Sequence, residues 1–236
     1  MLKVEQLKIA YENFRIDVEN ALFSEGLNII LGPNGGGKSS FMSGVIGYDQ
    51  LDIELREIYW NNQPLGRVHN IISYLPQENP RFKITVADYL VMTTGNVSTD
   101  AYSTAVEHFN IAQLTGRSIE ALSGGEFKRV QCAQVSLENK PVIMIDEMEQ
   151  GLDLKYQHEM MKWVKGEGGH RTVIASMHDA ALALTYADTI TLVKGGRITG
   201  PMPPGAVTPE MLSACYGLPL EIESRAGSTL VYHRQL

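Results

Sequence analysis

Apolar and polar residues alternate through residues 1 to 31, as in LKVEQLKIAY and FRIDVEN, the period expected of antiparallel strands with one buried face. Residues 51 to 75 repeat the pattern in IELREIYW and NIISYL and predict more strands of the same kind. A second class of strand is continuous rather than alternating. Leu27, Ile29, Ile30 and Leu31 form one such run, and PVIMI (141 to 145), RTVIAS (171 to 176) and TITLVKGG (189 to 196) form the others. Short all-apolar runs mark strands buried on both faces of a parallel sheet. From about 84 to 138 the period becomes helical, with Val86, Leu90 and Val91 on one stripe and Ala101, Ala105, Val106 and Phe109 on another. Strands alternating with helices predict an α/β core. We expect one domain over 1–236, with core and antiparallel β subdomain at about 1–83 and 139–236 and a helical subdomain inserted at about 84–138. A proline-rich turn, PMPPGAVTPE, precedes a last small segment, and no internal repeat or low-complexity tract interrupts the chain.

Composition narrows the function classes. With 20 Lys+Arg against 27 Asp+Glu the net charge is −7, and no basic run offers a footprint for nucleic acid. Charges scattered through MLKVEQLKIAYENF argue against a secretory signal. The longest weakly polar stretches, such as DAALALTYAD, fall far short of the roughly 20 apolar residues a membrane helix needs. Cys132 and Cys215 lie outside any CxxC pattern and read as reduced thiols of a cytoplasmic protein.

The chemistry concentrates in three stretches. LGPNGGGKSS (31 to 40) holds four glycines and one lysine between the apolar run and a helical pattern carried by Phe41, Val45 and Ile46. At a strand-to-helix turn, the spacing of Gly32, Gly37, Lys38 and Ser39 is that of a phosphate-binding loop. Glycines let successive N–H groups point inward as an anion nest, and the next helix aims its free N–H groups at the same point. Lys38 can reach the β- and γ-phosphates, and the Ser39 hydroxyl can ligate Mg²⁺. The loop therefore predicts a P-loop NTPase core that binds a nucleoside triphosphate. VIMIDE (142 to 147) places two carboxylates directly after a buried strand, Asp146 to face the Mg²⁺ and Glu147 to polarise a water against the γ-phosphate. LSGGEFKRVQ (122 to 131) has Ser123 as a helix N-cap and Glu126 three residues on, the signature of a capping box. Gly124 and Gly125 exceed what a cap needs and expose N–H groups for a second anion site.

In this order and spacing, the phosphate loop, LSGGE and VIMIDE resemble the nucleotide-binding subunit of an ABC transporter. The resemblance runs from about residue 2 to 233 and implies roles for further residues. Tyr11 would stack on adenine, and Asn34, Gly35, Gly36, Gly37, Lys38, Ser39 and Ser40 would hold the phosphates of ATP. Gln77, in SYLPQ, would touch Mg²⁺ and the attacking water near the docked membrane partner. His178, in SMHD, would contact the γ-phosphate, and Leu152 and Asp153 would end the loop after the catalytic Glu147. Ser123, Gly124 and Gly125 would meet the nucleotide held by a second copy of the chain. Metal ligation falls to Ser39, Gln77 and Asp146. The chain departs from the family at Met148, Glu149, Gln150 and Gly151, where Pro-Thr-Ser-Ala is usual: Glu149 adds a negative charge and Gly151 loosens the loop. The ending, from YADTITLVKGG through TPEMLSACYG, resembles ATPases serving importers of iron-siderophores, haem and cobalamin. It implies a homodimer on the inner face of the cell membrane, bound to permease subunits and served indirectly by a substrate-binding protein. The alternative is a soluble ABC ATPase, or an ATP-driven dimerisation switch uncoupled from transport.

Overall fold

The computed structural model describes residues 1–11, 14–48, 52–225 and 227–233. Two sheets dominate it. The first is antiparallel, in the order β2 (Phe14–Phe23), β1 (Leu2–Tyr11), β4 (Asp52–Trp60) and β5 (Gln63–Pro64). The second has the order β10 (Arg197–Met202), β9 (Thr189–Lys194), β3 (Gly26–Leu31), β8 (Thr172–Met177), β7 (Val142–Ile145) and β6 (Ile72–Leu75). All but β10 run parallel, as the continuous apolar runs predict.

One expectation fails here. NIISYL reads as alternating, yet β6 joins the parallel sheet beside β7, pairing Ile72 with Val142 and Leu75 with Ile145. Its position at the sheet's edge is the physical reason: Ser73 is buried but Tyr74 is partly exposed, so the run looks half-buried although it belongs to the core.

Residues of successive parity divide the parallel sheet's two faces. Leu27, Ile29 and Leu31 of β3, Ile143 and Ile145 of β7, and Val173, Ala175 and Met177 of β8 point into one apolar core. Ile30, Val142, Met144 and Ile174 point into the other. The second core is completed by the antiparallel sheet and by Phe41, Met42 and Val45 of α1 (Lys38–Ile46). The first is covered by α5 (Leu154–Gly168), α6 (Ala180–Tyr186) and the helices of the 86–137 stretch. Those are α2 (Val86–Val91), α3 (Thr99–His108) and α4 (Gly124–Leu137), with short 3₁₀ turns between them. Val86, Leu90, Ala105, Val106 and Phe109 are buried as their spacing predicts. Val91 and Ala101 instead face solvent: the buried stripe of α2 runs through Val86, Tyr89 and Leu90, and that of α3 through Ala105 and Val106. The chain ends in α7 (Pro209–Tyr216) and a hairpin of β11 (Leu220–Arg225) and β12 (Ser228–His233). Both cysteines are buried free thiols.

The parallel register matters for function. Leu31 pairs with Met177, Ile145 with Ala175, and Leu75 with Ile145. The loops that follow β3, β6, β7 and β8 therefore leave the sheet at one edge, beside one another.

The end of α5 lies close against the start of β3. A Cβ on Gly168 would stand 2.9 Å from the main chain of Gly26 and Leu27. Alanine gains about 1 kcal/mol of helix propensity over glycine, but overpacking against main chain costs about 1–3 kcal/mol. Gly168→Ala is expected to lower the urea midpoint. An unchanged or raised midpoint would show that the helix can step back freely.

Candidate nucleotide site

The loop between β3 and α1 opens a cleft of about 980 Å³, lined among others by Asn34, Gly35, Gly36, Gly37, Lys38, Ser39 and Ser40. Gly37 caps α1 with φ +109°, a left-handed conformation, and a Cβ there would stand 2.8 Å from Ile16 and 2.9 Å from Phe14. Glycine is thus required twice over, by the backbone and by the close approach of β2. The Lys38 ammonium folds back over the loop and donates to the carbonyls of Gly32 (2.8 Å) and Pro33 (3.2 Å). Burial pushes its pKa down, while Glu147, Asp146 and Glu149 oppose that shift.

Three more loops bring side chains to the same cleft. Gln77, Glu147, Glu149, Gln150 and His178 complete its wall. Lys38 Nζ lies 3.4 Å from His178 Nδ1, His178 Nε2 lies 3.0 Å from Glu147 Oε1, and Gln77 Nε2 donates to Glu147 Oε2 at 2.8 Å. An ammonium can only donate, so Nδ1 accepts and the imidazole proton sits on Nε2, facing the carboxylate. Cation, imidazole, carboxylate and amide form one chain along the wall of the cleft.

Glu147 itself has φ +47°, a conformation that non-glycine residues adopt at a cost of about 1–3 kcal/mol when the surroundings enforce it. Here they do. Its N–H donates to Ser176 Oγ (2.8 Å), and its carbonyl accepts from the buried Lys128 ammonium (3.2 Å). The Ser176 hydroxyl in turn donates to Asp146 Oδ1, and the Asp146 N–H donates to the Leu75 carbonyl. Burial also lowers the pKa of Lys128.

Of the residues read from sequence, Asn34 to Ser40, Gln77, Glu147 and His178 line one cleft, with buried Asp146 directly behind Glu147. The Tyr11 side chain lies outside the described residues. Ser123, Gly124 and Gly125 lie elsewhere. Ser123 caps α4 in a complete capping box with Glu126, and these residues border a separate hollow with Gly151, Leu152 and Asp153. Asp153 caps α5 through the Tyr156 N–H. Sequence reasoning missed three residues, Phe14 on the cleft wall and Ser176 and Lys128 behind Glu147; it placed Tyr216 only in the family-like ending, whereas here its hydroxyl donates to the His178 carbonyl at 3.4 Å. Burial holds the Tyr216 phenol well above its usual pKa, so the proton stays in place to donate. The single serine in the apolar strand RTVIAS and the lysine within the helical run after LSGGE were the available signals.

The sequence model described as "ABC transporter" matches residues 17–150. This chain belongs to the ABC transporter family. Relatives include the hemin import ATP-binding protein HmuV of Rhodococcus jostii, 31% identical over 88% of this chain and 76% of that protein. The manganese transport system ATP-binding protein MntB of Listeria innocua is 27% identical over 92% of this chain and 96% of its own length. Among solved structures, a metal-chelate type ABC transporter in an inward-facing conformation superposes with a TM-score of 0.80 at 22% identity, covering 100% of this chain and 97% of that one. The fold is that of ABC ATPases, and the family's activity is ATP hydrolysis. Among the described residues no helix is long and apolar enough to cross a membrane.

Ser176→Ala would strip the buried Glu147 N–H and one Asp146 oxygen of their partner. Leaving a buried polar group unpaired costs about 1–3 kcal/mol. We expect a lower urea midpoint together with an at least tenfold fall in ATPase kcat. A variant with normal kcat would show that the left-handed Glu147 holds without the serine.

Proposed function

We propose that this chain is the ATP-hydrolysing subunit of an importer that takes up haem or a related metal chelate. The observation that carries the ATPase chemistry is the placement of Glu147 between Gln77 and His178 on the wall of the Lys38 cleft. Similarity to hemin and manganese import proteins over most of the chain supports import of a metal-containing cargo. The ending of the chain favours the chelate branch.

In this reading the glycine loop and Lys38 hold the triphosphate, and an aromatic side chain, Tyr11, stacks on adenine. Glu147 accepts the proton of the attacking water while Gln77 orients it, and His178 contacts the γ-phosphate. Most of the catalysis is positioning and electrostatics, since phosphoryl transfer asks for little covalent help. The oxygen donors fit Mg²⁺. Ser39 offers a hydroxyl, Asp146 a buried carboxylate, and the Gln77 amide nitrogen is engaged by Glu147, which leaves its oxygen as the acceptor. Mg²⁺ would neutralise charge on the β- and γ-phosphate oxygens.

The second glycine-capped helix start at Ser123 stands apart from the cleft, so one chain supplies two half-sites. Two copies packed head-to-tail about a two-fold axis would complete both. Nucleotide binding and dimerisation are then linked. The chain would be held peripherally on the inner membrane face by permease subunits, which dock near Gln77 and the 86–137 helices, where Phe82, Val91 and Met92 are exposed. A substrate-binding protein would deliver cargo to the other side.

Two measurements test this. Lys38→Ala removes the loop's cation and should weaken MgATP binding at least tenfold, or about 1.4 kcal/mol. Unchanged affinity would dismiss the loop as the triphosphate site. Glu147→Gln, which removes the base, should give a stable dimer in MgATP and a monomer in ADP by light scattering. Adding Ser123→Arg should abolish that dimer while ATP binding persists. A Glu147→Gln dimer indifferent to Ser123→Arg would refute the shared site.

A further inference from the structure

The loop after Glu147 carries a further carboxylate, Glu149, and the structure gives that residue a definite partner. Glu149 Oε1 accepts hydrogen bonds from the main-chain N–H groups of His178 (2.5 Å) and Asp179 (3.4 Å). On the other side of the same peptide, Tyr216 Oη donates to the His178 carbonyl (3.4 Å). The His178 main chain is thus gripped from both directions, by a loop on one side and by α7 on the other. The remaining Glu149 oxygen is buried with no hydrogen-bond partner among the described residues. Those two N–H groups are therefore what hold this carboxylate at the cleft wall. Charge-assisted bonds of this kind are roughly twice as strong as neutral ones.

The loop is a tight structure rather than the loose one that Gly151 suggests. Gln150 N–H donates to the Glu147 carbonyl, Leu152 N–H to the Glu149 carbonyl, and Gln157 Nε2 to the Leu152 carbonyl. Gly151 does adopt a left-handed φ of +75°, but as the corner of this turn. Its carbonyl oxygen lies 3.4 Å from where a Cβ on Gly125 would stand, and Gly151 to Asp153 border the Ser123 hollow. The loop thus touches His178 at one end and the second half-site at the other.

We propose that Glu149 is a positioning residue that sets where His178 stands between Lys38 and Glu147. The inference rests on the reading of the cleft as an ATP site. Glu149 does not touch the reacting atoms in this scheme; it acts through the histidine.

A simple charge effect makes a different forecast. Removing a carboxylate from a phosphate cleft should tighten ADP and the non-hydrolysable triphosphate AMP-PNP together. Loss of positioning should instead lower only the preference for the triphosphate. Calorimetry with MgAMP-PNP and MgADP on the full chain separates them, using wild type, Glu149→Ala, Glu149→Asp, Glu149→Gln, His178→Ala and Glu149→Ala with His178→Ala. The AMP-PNP/ADP preference is expected to fall about as far in Glu149→Ala as in His178→Ala, at least fivefold. Glu149→Asp keeps the charge but withdraws the acceptor by one methylene, so it should fall likewise. Glu149→Gln keeps an oxygen in reach and should retain most of the preference. The double variant should be no worse than His178→Ala alone. In ¹³C-edited spectra the His178 imidazole resonance should move in Glu149→Ala and Glu149→Asp. Should Glu149→Ala fail to fold, Glu149→Asp and Glu149→Gln decide the matter. A wild-type preference in Glu149→Asp, or losses that multiply in the double variant, would overturn the positioning role. Absence of nucleotide binding by wild type would instead strike the ATP-site reading itself.

Discussion

The in-register ending of β3, β6, β7 and β8 is the constraint on which the site depends. β3, β7 and β8 are buried on both faces, so none of them can slide without moving apolar side chains to the wrong core, and β6 is held in register by β7. The register places Leu31, Leu75, Ile145 and Met177 near one edge, and the loops after them meet there. Lys38 opens α1, and Gln77, Glu147 and His178 come from three separate loops, yet hydrogen bonds of 2.8 to 3.4 Å join them into one chain. No single local motif could produce that geometry.

Behind the cleft, a shell of buried polar groups holds strained or charged elements in place. Ser176 and Lys128 satisfy the two sides of the left-handed Glu147 peptide. The Lys128 bond has a further consequence. It runs from α4, the helix that Ser123 caps, to the carboxylate-bearing loop of the cleft. It ties the helix that borders the Ser123 hollow to the main chain of Glu147 on the cleft wall. Burying an ammonium is costly unless its hydrogen bonds are made, so this connection is stiff by necessity.

Much of this was legible in the chain. The phosphate loop, the Asp146-Glu147 pair and the Ser123 capping box are local patterns, each carried by residue types that alternative local structures tolerate poorly. Continuous apolar runs marked β3, β7, β8 and β9 as strands of a parallel sheet. The edge strand β6 was misread because partial exposure imitates alternation. The roles of Phe14, Ser176, Lys128 and Tyr216 are illegible in the chain because they are entirely tertiary, although Tyr216 belongs to the ending that carries the importer resemblance: each is an ordinary residue until the fold sets it beside the cleft, Glu147 or His178. Glu149 shows the limit from the other side. Its oddity was visible in sequence, and a negative charge near the base was the natural reading; its bond to the His178 main chain could come only from the packed structure.

If the loops following β3, β7 and β8 act as one nucleotide site, saturating MgAMP-PNP should slow hydrogen exchange together at amides of residues 34–40, 146–150 and 177–179. Protection that spares the 34–40 loop, or that falls on it while leaving both other loops unchanged, would contradict that reading.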